Sequence, residues 1–332
     1  MSRAPTLLSL IMGGWVSRAI YVVAKLGIAD LLKPGAKTCA DLAKATGVDP
    51  RSLFRVMRAL ASVGIFAEGG EGRFELTPLA EGLQTDAPNS MRALAIMLGE
   101  ESYHVWGELP QSVVSGEPAF ERVYGMRRFE YLGAHPKAAE VFDQAMTSLN
   151  RRVHASVVST YPFSEMTTII DVGGGNGSLL SLILQANPKA RGVLLETPVV
   201  IESAKRHVES LGFAERCEFV AGDFFRSVPE GGDVYILLHV IESFDDDRCS
   251  TILNNCRRVM AKHAKMLIVE PIISRRNEPS AAKLLDLHML VVTGGRLRTE
   301  GEYQALLTRA RLRLTIVTPT DSGESVIEAA CC

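Results

Sequence analysis

An excess of charge of either sign is missing from this 332-residue chain: 36 lysines and arginines meet 38 aspartates and glutamates, for a formal net charge of −2. That balance argues against bulk binding to nucleic acid or to an anionic membrane, either of which needs a basic footprint. Any CxxC or CxxH spacing is also missing. The six cysteines, Cys39, Cys217, Cys249, Cys256, Cys331 and Cys332, give no basis for a metal site or a disulfide framework and point to a reduced, cytoplasmic protein. The terminal Cys331-Cys332 pair makes no CaaX pattern and reads as an exposed tail. No stretch approaches the roughly 20 uninterrupted apolar residues of a membrane span. Internal repeats, low-complexity tracts and the GxxxxGK[ST] phosphate loop are absent as well.

What is present begins with Arg3 followed by apolar Leu7 to Val16, which superficially matches a signal peptide. Leu8, Ile11, Met12, Trp15, Ala19, Val22, Val23 and Leu26, however, continue at helical spacing through Arg18 and Lys25. That pattern predicts an amphipathic helix whose broad apolar face needs a partner surface. Residues 28–85 predict two helices and a β-wing. Thr38 to Gly47 is a short helix ended by glycine, and Asp49-Pro50 opens the next one as N-cap and first-turn proline. Ile65 to Leu76 then alternates about Gly69-Gly70 as a hairpin does. A winged helix can bind DNA, with Arg51, Arg55 and Arg58 as phosphate contacts. The rest of the segment is not basic and a catalytic domain follows, so the arginines are read as solvated and the module as one for dimerisation. Residues 88–160 predict helices bearing Met97, Tyr103, Trp106, Phe120, Tyr124, Phe129, Tyr131, Phe142 and Met146, mostly core, some lining a pocket for a flat apolar ligand.

From Thr168 onward strands and helices alternate. Predicted strands are Ile169–Val172, Gly192–Leu195, Cys217–Val220, Val234–Leu238 and Met266–Val269, separated by helices Ser178–Gln185, Pro198–Gly212 and Asp246–Met260. Near-continuous apolar strands between helices predict a parallel sheet covered on both faces. The tail reads as a helix over Glu300–Arg309 followed by two strands.

The first of these strands runs into Asp171-Val-Gly-Gly-Gly-Asn-Gly177, whose Gly173, Gly174 and Gly175 let backbone approach a ligand closely. A glycine-rich turn alone is shared by many nucleotide binders. Glu196 ends the second strand, where a carboxylate can accept both hydroxyls of a ribose. Gly222, Asp223 and Phe224 end the third, with an acid for the adenine amino group beside a ring for its face. Acids without a phosphate-binding lysine suit a cationic, phosphate-free cofactor, so S-adenosylmethionine (SAM) fits better than NAD.

These motifs, with Leu195-Glu-Thr-Pro198, Asp245-Asp-Asp247, Leu253-Asn-Asn-Cys-Arg257, Val269-Glu-Pro271, Asp286-Leu-His-Met-Leu290 and Gly294-Gly-Arg-Leu-Arg-Thr299, occur in order. Together they resemble the SAM-dependent small-molecule O-methyltransferases of caffeate, hydroxyneurosporene and acetylserotonin type. The chain looks closest to bacterial members acting on aromatic natural products, the phenazine N-methyltransferase among them. The resemblance covers essentially the whole chain. It implies an α/β fold with a winged-helix dimerisation domain over 1–90, a helical substrate-pocket segment over 91–160 and a Rossmann-like SAM-binding domain over 161–332. It further implies a homodimer joined through the N-terminal helices, with a small aromatic substrate held between the domains. The substrate would lie against His104, Trp106, Phe142, Met146 and Met289, and Leu238 and His239 would join the cofactor residues.

The departures bear on catalysis. Family members usually carry a histidine base just before the acidic pair, and here Glu242 stands in that place. The lysine often found four positions earlier is Leu238; of two flanking glutamates, Glu270 is present and the other is Leu297. Methyl transfer from a sulfonium is an in-line displacement that needs a base mainly when the acceptor is a weakly acidic hydroxyl. Glu242 is therefore a base or a hydrogen-bonding spacer, and His288 is the alternative. His239 is read as packing at the strand end or touching cofactor, His104 as pocket wall, and His135, His154, His207 and His263 as surface residues. The resemblance implies a hydroxyl acceptor in secondary metabolism, the missing histidine makes ring nitrogen or carbon its rivals, and a family member that binds SAM without methylating is the alternative.

Overall fold

A computed structural model describes residues 6–274 and 276–332 and divides them into two compact units. The first comprises residues up to His104 together with Pro136–Leu149, and the second comprises Val105–His135 and Asn150–Cys332.

In the first unit the apolar N-terminus forms Leu7–Ile11 and Gly13–Leu26, two helices broken at Met12 rather than one. Arg3 lies outside the described residues. The segment Leu7–Leu26 is long and apolar enough, by length and composition, to cross a membrane. It is not an uninterrupted apolar run, since Arg18 and Lys25 lie within it and the helix breaks at Met12. Its outer face is bare, with Leu7 74% and Trp15 70% exposed.

The winged-helix order follows: helix Ile28–Leu32, β1 (Lys37–Thr38), helices Cys39–Thr46 and Pro50–Ser62, β2 (Phe66–Glu68) and β3 (Arg73–Leu76). Local chemistry sets the boundaries. Thr38 Oγ1 accepts the Asp41 N–H, Gly47 closes that helix at φ +71°, and Asp49 Oδ1 accepts the Ser52 N–H ahead of Pro50. The three strands pair antiparallel in the order β1-β3-β2. Ile28, Leu42, Met57, Leu60, Phe66 and Phe74 are buried beneath them.

The second unit is built on a seven-stranded sheet. Its strands are β4 (Thr168–Val172), β5 (Arg191–Glu196), β6 (Cys217–Ala221), β7 (Val234–Leu238), β8 (Lys265–Glu270), β9 (Leu312–Pro319) and β10 (Ser325–Cys331). They lie in the order β6-β5-β4-β7-β8-β10-β9; the first five are parallel, and β10 runs antiparallel to both neighbours. Alternation along β4 sends Ile170 and Val172 into one core with Leu237, Ile252 and Leu306. It sends Ile169 into the other, with Leu180, Ile183 and Leu194. Both faces are covered, which is why these strands read as unbroken apolar runs. The helix Ala281–Val292 does not stand out in the sequence, because its residues are apolar nearly all round.

Candidate active site

The chain winds from β4 through β5 to β6, then returns to lay β7 on the other side of β4. Sheets of this kind bind ligands outside the carboxyl ends of the strands where the order reverses. Here that place is ringed by Gly173 after β4, Glu196 at the end of β5, Gly222 to Phe224 after β6, and Leu238-His239 at the end of β7.

The turn after β4 needs its glycines for two distinct reasons. Gly173 and Gly175 lie at φ +74° and +57°, where a side chain is strained. A Cβ on Gly174 would stand 2.3 Å from Asp171 Cγ, so the loop passes directly over that carboxyl group. Asp171 is 1% exposed, and neither of its oxygens has a hydrogen-bond partner among the described residues. Burial, and then the charge of Glu196, push its pKa up to about 7. Glu196 accepts the Gly175 N–H at 3.3 Å through Oε1 and the Thr197 N–H at 2.7 Å through Oε2. Across the turn, the Phe224 ring lies 3.4 Å from where a Gly173 Cβ would be. Asp223 caps its own loop through the Phe225 N–H at 2.8 Å and stands 3.7 Å from Arg226. Orphaned acid, stripped backbone and a ring face suit a cationic group attached to an aromatic base, which is the chemistry of SAM.

The second part of the site follows β7. His239, at φ +54°, turns the chain into the short helical turn Ile241–Ser243. Glu242 is 5% exposed; its Oε1 is 3.2 Å from His239 Nδ1, and its Oε2 has no hydrogen-bond partner among the described residues. Its backbone N–H donates to Glu270 Oε1 at 2.8 Å, and Tyr303 donates its hydroxyl to Glu270 Oε2. Burial, then the Glu242 charge, raise the pKa of Glu270 to about 8 against those two hydrogen bonds. Burial alone would lower the pKa of His239, but Glu242, then Glu270 and Glu324, outweigh it and hold the ring at about 9. Glu242 is thus hydrogen-bonded on one side to a histidine and on the other to a glutamic acid whose pKa values are both raised.

The turn is pinned from below. Arg298, fully buried, donates to Ile241 O at 3.2 Å, Phe244 O at 3.0 Å and Asp246 Oδ1 at 2.7 Å. Gly295 presses against it so closely that a Cβ would fall 2.1 Å from Glu242 O. The acidic pair and the Gly294-to-Thr299 motif thus act together, holding Glu242 in place.

Of the predicted substrate contacts, Trp106 and Met289 belong to the second unit, and His104, Phe142 and Met146 to the first. His288, half-buried, accepts a hydrogen bond at Nδ1 from Trp106 Nε1, 3.0 Å away. Two histidines expected at the surface are not there. His154 is 6% exposed, and burial, then the charge of His239, lower its pKa to about 4. Its neighbours Val153 and Val157, on the helix Pro136–Thr160, carry that stretch into the core with Ile169. His207 is half-buried with Nε2 3.0 Å from Ser178 Oγ. His135 and His263 are exposed. Sequence reasoning also missed Tyr303, whose partner Glu270 lies 33 residues away in the chain.

The family model for an O-methyltransferase domain matches residues 106–313, and that for an O-methyltransferase dimerisation domain matches residues 8–86. A phenazine O-methyltransferase of Lysobacter antibioticus is 45% identical over 323 residues, covering 97% of this chain and 95% of that protein. The phenazine-1-carboxylate N-methyltransferase of Pseudomonas aeruginosa is 34% identical over 331 residues, covering 99% and 98%. An O-methyltransferase of neocarzinostatin biosynthesis, solved with SAM and 2-hydroxy-5-methyl naphthoic acid, aligns with a TM-score of 0.90, 29% identity and coverage of 99% and 100%. A member that keeps SAM without methylating finds no support among these relatives. The chain belongs to the S-adenosylmethionine-dependent O-methyltransferase family, with that family's dimerisation domain ahead of its methyltransferase domain.

Proposed function

We propose that this enzyme methylates a hydroxyl group on a small aromatic or heteroaromatic metabolite, and that Glu242 accepts the proton in place of the family's histidine. The supporting observation is the asymmetry of the Glu242 carboxyl group: Oε1 is engaged by His239, while the buried Oε2 has no partner among the described residues. A buried acceptor without a partner carries a cost of about 1–3 kcal/mol, which a substrate hydroxyl would offset. His239 fixes the direction of the carboxylate, as the third member of a catalytic set does. Glu270, fully buried and bonded to the Glu242 N–H, acts through Glu242 as a positioning residue.

In this reading Asp171, Gly173, Gly174, Gly175, Glu196, Gly222, Asp223, Phe224, Leu238 and His239 hold the cofactor, with Glu196 on the ribose and Asp171 beneath the cationic end. The cofactor supplies an electrophilic methyl group on a sulfonium. Residues 1–90 serve dimerisation, 91–160 supply substrate contacts and 161–332 carry cofactor and chemistry. The homodimer forms through the N-terminal helices, whose bare apolar face agrees with the match of the dimerisation domain from residue 8. Four buried free cysteines suit the cytoplasm.

Incubation with SAM and a panel of phenols, quinones and N-heterocycles, read by release of S-adenosylhomocysteine, tests the proposal. Turnover confined to hydroxyl-bearing acceptors supports it. Turnover of N-heterocycles that lack a hydroxyl, as the N-methylating relative suggests, would assign a base-free reaction instead.

A further inference from the structure

His288 lies within the motif Asp286-Leu-His-Met-Leu290 on the helix Ala281–Val292, where a base would be sought if Glu242 were only a spacer. Its hydrogen bonding excludes that role. An indole N–H donates and never accepts. Trp106 Nε1 stands 3.0 Å from His288 Nδ1, and the rings lie at 19° to each other with centroids 6.2 Å apart. Nδ1 is therefore the unprotonated nitrogen, since a proton there would set two N–H groups against each other. A neutral imidazole with a bare Nδ1 carries its hydrogen on Nε2. Among the described residues no group hydrogen-bonds to that Nε2.

We propose that His288 is a neutral hydrogen-bond donor, locked by Trp106 in the Nε2–H form, which selects aromatic substrates carrying an acceptor atom such as a ring nitrogen, a carbonyl or a carboxylate. The ring takes no proton from the reacting hydroxyl, because the lone pair on Nδ1 is occupied and Nε2 already bears hydrogen. Burial, then the nearby Arg128 guanidinium, lower its pKa to about 4 and keep it neutral across the working pH range. The charge of Glu242 also reaches this ring and raises its pKa against the other two causes. The result is a division of labour, in which the carboxylate receives hydrogen from the substrate and the imidazole offers it. This inference rests on the proposed aromatic-hydroxyl specificity for its substrate class, though the tautomer itself does not.

Two measurements separate the parts. In the whole protein labelled with 15N-histidine, the long-range 1H–15N spectrum reports which ring nitrogen bears hydrogen, and His288→Leu assigns the signal by its loss. The Nε2–H pattern is expected between pH 6 and 9. The second measurement compares 8-hydroxyquinoline, whose ring nitrogen is an acceptor, with 1-naphthol, which has the same shape and no such atom. His288→Leu should raise KM for 8-hydroxyquinoline about tenfold more than for 1-naphthol, and His288→Gln, which keeps a donor, should recover most of that difference. Trp106→Phe should mix the two tautomers and give part of the same loss. An Nδ1–H pattern in the native protein would overturn the proposal, as would an equal effect of His288→Leu on both substrates or the disappearance from its kcat–pH profile of an acidic limb, the mark of a lost base. Failure to turn over either hydroxyl compound while the Nε2–H pattern is present would overturn the substrate reading and leave the tautomer standing.

Discussion

The backbone N–H of Glu242 is held by the carboxyl group of Glu270, 2.8 Å away, and Tyr303 grips the same group from the other side. All three are buried, so each loss is felt in full. Glu270→Ala leaves an amide and a hydroxyl without acceptors and should destabilise the fold by about 2–5 kcal/mol. Tyr303→Phe, which removes one donor and strands none, should cost about 1 kcal/mol. Urea denaturation midpoints check both; equal shifts would contradict the network.

Asp171 gives a pH dependence with a definite sign. Its folded pKa of about 7 lies above the ordinary 3.8, so the unliganded fold keeps a proton that the unfolded chain releases between those values. Stability from this group is therefore highest at low pH and falls as pH rises toward 7. A bound cation favours the ionised form, so SAM affinity should climb through the same window and level off above it. Calorimetry from pH 5.5 to 8.5 checks this. Asp171→Asn should flatten the dependence, and a mutant with an unchanged slope would remove Asp171 from the cofactor site.

Glu196 already accepts the Gly175 and Thr197 N–H groups. Its replacement by alanine should remove a charge-assisted pair of bonds to a ribose and cost on the order of 2–4 kcal/mol of SAM affinity. Unchanged binding by calorimetry would show that the ribose lies elsewhere.

Assembly follows from the bare face of the first two helices. Leu7, Leu8, Leu10, Ile11 and Trp15 are all at least 63% exposed in the single chain. Burying such side chains is worth about 1.5–3 kcal/mol each, enough to hold a dimer. Sedimentation at micromolar concentration should give a dimer, and Leu8→Asp with Ile11→Asp a monomer. A monomeric wild-type protein would contradict the assignment, and recovery only in the membrane fraction would give this segment a different partner.

Much of this architecture is legible in the residues alone. Val234–Leu238 and Glu300–Arg309 have the bounds their patterns predict, because apolar strand runs and a Thr299–Glu302 capping box are local signals. The glycine turn and Glu196 are legible for the same reason. What periodicity could not reveal is who meets whom. Trp106 and His288 are 182 residues apart, and the bond between them decides what the histidine can do. His154 was misplaced because one helix serves two cores. Arg298 stands in the sequence only as part of the Gly294-to-Thr299 motif, and the carbonyls of Ile241 and Phe244 show what it holds.

The central claim is that Glu242 takes the substrate's proton, and Glu242→Gln tests it most directly because the shape is kept and the charge removed. A positioned general base is worth typically 10²- to 10⁴-fold. With a phenolic acceptor identified, the account predicts that kcat of Glu242→Gln falls by about a hundredfold or more while SAM and substrate still bind, and that raising the pH toward the phenol's own ionisation restores much of the rate. Near-full activity at neutral pH would contradict it and make the glutamate a spacer.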